Sequence, residues 1–190
     1  MKADAKLPAT RDEIVLTLYD LFRRSGYDAV SIADISAATG LGKSSLYHHF
    51  PGGKPDMAEA VAGFARAHMR ESVFDRLRAE GPLTRKLAAM TDFVSRMYEG
   101  GGAPCLIASM MISPNAGPQA IDTVKAIVAD WIDALAGALR REGAPAATAR
   151  KRATEAVIAI QGALVVARAT GDRRIFDDTM KAMRQSLTAP

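Results

Sequence analysis

Residues 38–54 read ATGLGKSSLYHHFPGGK, the densest run in the chain of groups able to bind phosphate, ligate a metal or attack a carbonyl. Gly42-Lys43-Ser44 ends like a phosphate-binding loop, whose glycines let successive backbone N–H groups curl around phosphate oxygens. That loop needs a further glycine where Ala37 stands, and it must leave a β-strand, whereas the preceding SIADISAA is patterned as a capped amphipathic helix. No nucleotide site is expected. Ser44 and Ser45 beside two histidines suggest a hydrolase, but there is no Gly-x-Ser-x-Gly elbow and no carboxylate close in sequence to orient a base. His48 and His49 are adjacent, and adjacent helical residues diverge by about 100°, which sets them poorly for one shared ion. The chain is therefore expected to be no enzyme and to hold no metal or cofactor.

Charge gives the run a different meaning. From Ile35 to Pro55 there is no Asp or Glu, in a chain with 21 acidic residues, while Lys43, His48, His49 and Lys54 all fall there. Such a gap suits a surface facing a polyanion. The formal net charge of +4 permits a nucleic-acid partner without requiring one.

The elements that must position these residues read as helices. Thr10-Arg11-Asp12-Glu13 is a capping box, and Ile14, Leu18, Leu21 and Phe22 recur at helical spacing until Gly26. Ser31 and Asp34 open a second helix that ends at Gly40, and Lys43 to His49 allow about two turns before Phe50-Pro51-Gly52-Gly53 breaks the chain. Three short helices with a glycine turn between the last two make a helix-turn-helix unit. A long helix then runs from Pro55 to about Ala79, followed by helical stretches over 83–99, 104–112, 117–141, 147–170 and 173–187. The expected fold is all-α, about nine helices, with a domain over residues 1–54 and a helical domain over 55–190.

Composition agrees: 48% hydrophobic, 6% aromatic and 24% charged residues describe an ordered helical chain. The lone Cys105 excludes an internal disulfide framework or a multi-cysteine zinc site and is expected to be a buried structural thiol. MKADAKLPATRDE lacks a secretory apolar run, and no uncharged apolar stretch reaches about 18 residues, so a cytoplasmic protein with no membrane partner is expected. Arg140, Arg141 and the Arg150-Lys151-Arg152 cluster read as solvated helix ends.

SIADISAATGLGKSSLYHHFPGGK resembles the DNA-binding motif of TetR-family bacterial transcriptional regulators, most strongly at Leu46-Tyr47-His48-His49-Phe50. Phe50-Pro51-Gly52-Gly53-Lys54 is similar to the subgroup related to the lincomycin-resistance repressor LmrA. The sequence departs from the pattern at Ser36, where alanine is usual, at Gly42, where a polar residue is usual, and at Pro104-Cys105, where the subgroup has Gly-Cys-Pro. The resemblance implies that Lys43, Ser44, Tyr47 and His48 face the major groove and that Ser31, Ser45, His49 and Lys54 hold phosphates. His49 is alternatively a packed, hydrogen-bonded side chain. Leu46 and Phe50 should point inward, toward Ile14, Leu18, Ile32 and Ile35.

The same resemblance implies a homodimer that binds a palindromic double-stranded DNA operator and is released by a small, largely apolar effector, most simply as a repressor. The alternatives are a non-regulatory helical DNA-binding protein and a helical ligand carrier or enzyme. Methionines are frequent in the larger domain, and Met90, Phe93, Met97, Met111, Trp131 and Leu135 are expected to line the effector cavity. Along 153–170 a broad face of small and apolar residues, with Val157, Ile160 and Leu164 at its centre, is the expected dimer interface.

Overall fold

A computed structural model describes residues 10–113 and 115–189. Residues 1–9, which begin the expected first domain and carry the charged start without an apolar run, lie outside the described residues, as do Pro114 and Pro190. Among the described residues there are nine helices and no strand. They are α1 (Arg11–Ser25), α2 (Ile32–Thr39), α3 (Lys43–His49), α4 (Lys54–Met69, running on through a π-turn at Arg70–Phe74 to Asp75–Arg78), α5 (Leu83–Met97), α6 (Leu106–Met111), α7 (Pro118–Arg141), α8 (Ala146–Thr170) and α9 (Arg174–Thr188).

The first helices start where side chains satisfy free backbone donors. The Glu13 N–H donates to Thr10 Oγ1 (3.3 Å), and the Thr10 N–H donates to Glu13 Oε2 (2.7 Å). Ser31 and Asp34 repeat this at α2, with the Asp34 N–H on Ser31 Oγ (3.1 Å) and the Ser31 N–H on Asp34 Oδ2 (2.8 Å). Gly40 ends α2 with φ +71°, a left-handed turn in which a Cβ crowds the following carbonyl. The chain thereby swings into α3 within three residues. Leu46 and Phe50 point inward as expected, fully buried with Ile14, Leu18 and Ile35, while Ile32 is partly buried against them.

The larger unit is built on α4 against α7, α7 against α8, and α8 against α9. Trp131 on α7 is fully buried and donates its Nε1–H to Met90 Sδ at 3.4 Å. Cys105 is buried, and its sulfur lies 3.3 Å from the Tyr98 hydroxyl. Burial, with the Cys105 thiol alongside, pushes the Tyr98 phenol well above its ordinary pKa. The π-turn at Arg70–Phe74 shifts the helix phase so that Met69, Val73, Phe74 and Leu77 all reach the core. By length and composition alone α8 could cross a membrane, but Ala153, Ala156, Ile160, Leu164 and Ala167 lie in the core of the chain.

The Gly40 turn generates a test. Gly40→Ala should lower the unfolding free energy by about 1–2 kcal/mol through the left-handed backbone alone, because nothing lies within 4 Å of an added Cβ. Gly42→Ala, at φ −70°, should shift the urea midpoint little; equal losses in the two variants would contradict this account.

Candidate nucleic-acid interface

α3 is held by one inward edge, Leu46, and by Phe50 just beyond it, so the rest of its circumference faces out. Lys43, Ser44, Ser45, Tyr47 and His48 are all exposed there, and His49 is half-buried, its ring 5.6 Å from that of His48 and 6.4 Å from that of Phe50. Gly42 precedes α3 without a capping side chain, so its first N–H groups stay open beside Ser44 and Ser45. Lys43 Nζ stands 5.8 Å from the centre of the Tyr47 ring, which keeps the ammonium and the phenol on one outward surface.

The turn after α3 is built to hold that surface. The Gly52 N–H donates to Asp56 Oδ2 at 2.5 Å, and a Cβ on Gly52 would stand 2.2 Å from the same carboxylate. Gly53, at φ +73°, lies against the edge of the Tyr47 ring, where a side chain would press at 3.4 Å. The two glycines are therefore a clamped turn under Tyr47 and not a loose hinge.

Two of the expected phosphate ligands have other partners. The Ser31 hydroxyl, though exposed, donates to Asp34 Oδ2 at 2.7 Å, and these bonds hold the Asp34 carboxyl below its ordinary pKa. Lys54 is half-buried with Nζ 4.3 Å from the centre of the Tyr27 ring; burial lowers its pKa, and the nearby Asp28 carboxylate opposes that shift. Lys54 thus starts α4 with its ammonium over the Tyr27 ring. A cation the motif did not mark stands near the α3 surface: Arg11, exposed in the first turn of α1, lies 5.2 Å over the Phe50 ring. A cation in the first turn opposes the helix dipole, and that was the available sequence signal for it.

Lys54 belongs to the seam that joins the three-helix head to the helical body. The Tyr27 hydroxyl donates to the Asn115 carbonyl (3.0 Å), its N–H donates to Ser109 Oγ (3.3 Å), and the Asn115 amide donates to Asp28 Oδ1 (2.9 Å). Burial, with Asp28 alongside, raises the Tyr27 phenol to about 12. One turn earlier, buried Arg23 donates to the Met97 carbonyl (3.0 Å) and to Asp20 (3.0 Å) and Glu99 (3.4 Å).

The expected effector residues do not meet in one cavity. Met90, Trp131 and Leu135 are packed in the core, because the indole fills the space their inward faces were expected to leave open. Met111 is 44% exposed at the end of α6. Only Phe93 and Met97 border an opening, a cleft of about 490 Å³ closed on its other side by Leu16, Tyr19 and Arg23 of α1 and by Phe64 and His68 of α4. Its rings are ordered against one another, Phe64 stacked on His68 at 5.8 Å and Tyr19 edge-on to Phe64 at 5.4 Å. Val157, Ile160 and Leu164 are likewise corrected, being no more than 5% exposed within this chain. The face of α8 left open carries Ile158, Val165 and Val166 instead.

A small helix-turn-helix head with an exposed, acid-free third helix, carried on a larger helical body, defines a DNA-binding regulator. Comparison with known proteins agrees at both ends of the chain. Residues 14–61 match the family model described as bacterial regulatory proteins, tetR family, and residues 102–182 match that of the transcriptional regulator LmrA/YxaF-like C-terminal domain. The chain belongs to the TetR family of bacterial transcriptional regulators, with a body of the LmrA/YxaF kind. An uncharacterised helix-turn-helix transcriptional regulator of Mycobacterium tuberculosis is 26% identical over 94% of each chain, and Bacillus subtilis LmrA is 31% identical over 37% of each. Among solved structures, a TetR transcriptional regulator from Legionella pneumophila superposes with a TM-score of 0.83 at 22% identity, covering 98% of this chain and 99% of its own. One from Agrobacterium tumefaciens gives 0.81 at 26% identity, covering 94% and 97%.

The seam carries a pH test. Hydrogen bonds from Asn115 and then Ser113, with the Lys54 charge, hold the Asp28 carboxyl below its ordinary value of 3.8. A depressed folded pKa contributes stability above that value, and the contribution is lost as pH falls through the folded one. Asp28→Asn should therefore lower the thermal midpoint at neutral pH, and the gap from wild type should close on acidification below 3.8. A gap that widens in acid would contradict the assignment.

Proposed function

We propose that the protein is a cytoplasmic repressor that binds a palindromic operator as a homodimer and is released by a small, largely apolar effector. The observation that carries the reading is the α3 surface, on which Lys43, Ser44, Tyr47 and His48 are exposed together with no carboxylate among them. Lys43 is suited to guanine O6 and N7, Ser44 to several base edges, and Tyr47 to a thymine methyl or a phosphate. Ser45, His49 and Arg11 flank that surface as phosphate ligands, with Ser31 retained at its edge.

One such helix reads too few bases for useful specificity, and a two-fold pair of them reads a palindrome with successive major grooves about 34–36 Å apart. The open face of α8 supports the pairing: Ile158 and Val165 are 64% and 66% exposed on a helix whose opposite face is core. The effector is assigned to the aromatic cleft between α1, α4 and α5, whose walls include the helix that ends in the reading head. A ligand shifts the spacing only if it binds one spacing better than the other.

Gel-shift titration against the DNA just upstream of the coding region tests the reading. Specific retention that survives excess unrelated DNA is expected, and binding equal for all sequences would sink it. Lys43→Ala should cost about 1–3 kcal/mol of discrimination while leaving weak general binding in place. Val165→Glu should give monomers by size measurement at micromolar concentration, together with loss of operator binding; an intact dimer would remove α8 from the interface.

A further inference from the structure

Four aromatic side chains from three helices form an unbroken chain of ring contacts along the cleft between α1, α4 and α5. Tyr19 stands edge-on to Phe64 at 5.4 Å, Phe64 lies parallel to His68 at 5.8 Å, and His68 meets Phe93 at 5.1 Å. All four line the cleft and none is closed off: Tyr19, Phe64 and Phe93 are half-buried and His68 is exposed. Such a wall accepts a further ring in offset or edge contact. At about 490 Å³ the opening falls within the roughly 300–1,000 Å³ usual for small-molecule sites.

The cleft is graded in polarity. Tyr19, His68 and Met97 also border a second, nearly closed space of about 20 Å³, whose lining includes Met69, Leu106, Ile107 and Ile127. The charged members of the cleft lining are Asp20, Arg23 and Arg96. The Asp20 carboxylate accepts from Arg23 at 3.0 Å, and Arg23 is held besides by the Met97 carbonyl and Glu99. Arg96 is left over: it is exposed, one turn along α5 from Phe93, and has no ion-pair or hydrogen-bond partner among the described residues. An aromatic wall alone would also suit a cation. A cation here meets the Arg96 guanidinium with no free carboxylate to offset it, whereas an anion gains from the guanidinium and a ring attached to it gains from the wall.

We propose that this cleft takes a planar aromatic carboxylate, its ring against Phe64, His68 and Phe93 and its carboxylate on Arg96. The inference rests on the assignment of the effector to this cleft and adds the class of ligand to it. Phe93 and Arg96 are three residues apart, so ring and carboxylate are separated by about 5 Å along α5, which suits a bicyclic acid. Such a molecule is still largely apolar, and its apolar end points toward the closed space behind Met97. Tyr19 belongs to α1 and Phe64 and His68 to α4, so a ring seated there bears on both helices.

Calorimetric titration of the full chain with 2-naphthoate, its neutral counterpart 2-naphthamide and the cation 2-naphthylmethylammonium tests the site. Saturable 2-naphthoate binding is expected, severalfold tighter than 2-naphthamide, with the gap narrowing as KCl is raised because the guanidinium is exposed. Arg96→Gln should abolish that preference while leaving 2-naphthamide affinity at the wild-type level, which also shows that the variant is folded. Phe93→Ala should weaken both probes severalfold. Equal binding of acid and amide, tightest binding of the cation, or a preference that persists in Arg96→Gln would overturn the carboxylate assignment and leave the cleft as the effector site. No saturable binding of any of the three would overturn the inference and the cleft assignment together. No DNA is present, so each result is separate from whether an operator is bound.

Discussion

The C-terminal half of α1 is shared between two packing units, and the rest of the molecule is arranged around that sharing. Leu18 and Phe22 are buried with Leu46 and Phe50 of the head, whereas Tyr19 and Arg23, one step round the same helix, face α4, α5 and the loop at Glu99. The result is one continuous hydrophobic cluster running from Ile14 to Leu187. Dense packing of this kind does not deform smoothly, so a displacement of α1 on the body side carries the head core with it. Tyr27, Asp28, Ser109 and Asn115 then fix the angle at which α1 leaves the body. An arginine bonded to a main-chain carbonyl also ties α1 at the level of α5, since Arg23 reaches Met97.

The outward surface of α3 follows from what the other helices take inward. Once Leu46 and Phe50 are buried, a seven-residue helix has few positions left, and all of them are polar or aromatic. Because Gly42 caps nothing, the start of α3 offers backbone N–H groups beside the Lys43 ammonium, and no acidic residue of α3 competes for them. The Asp56 carboxylate, the first acid after the gap, faces back onto the Gly52 N–H and leaves the outer surface uncontested. Its position stabilises the turn and the start of α4 at once, since an anion there also meets the positive end of the helix dipole.

How much of this was legible in the sequence depended on whether the signal was local. Capping boxes at Thr10 and Ser31, the Gly40 turn and the Pro51-Gly52-Gly53 break set the helix boundaries from neighbouring residues, and the helices fall within two residues of where those signals put them. The α3 surface was legible for the same reason. Sites made by distant elements were not. Periodicity showed that Trp131, Met90 and Leu135 point inward, but it carries no information on whether the inside is filled, and the indole fills it. Along α8 periodicity did not separate the inward face from the outward one, because a long helix rich in alanine presents small residues all round: Val157, Ile160 and Leu164 go to the core and Ile158 and Val165 remain outside. The contribution of α1 to the cleft, through Tyr19 and Arg23, had no local sign at all. Lys54 was drawn to Tyr27 by a contact 27 residues away in sequence, which no motif encodes.

α4 is the element that connects these parts mechanically. Its start is held by the Gly52-Asp56 clamp and by Lys54 on Tyr27, its middle carries Phe64 and His68 into the cleft, and its end is anchored past the π-turn by Val73, Phe74 and Leu77 in the core. From Gly53 to Phe64 the helix spans about 16 Å at 1.5 Å per residue. With the far end anchored, a change in the separation of α1 and α4 at the cleft cannot be absorbed by sliding α4 along its axis. It must appear as a tilt, and the tilt is largest at the end bearing the glycine turn beneath Tyr47. The same geometry sets a requirement on any ligand in the cleft: one that fills the space without parting Tyr19 from Phe64 binds both head orientations equally and shifts nothing, however tightly it binds.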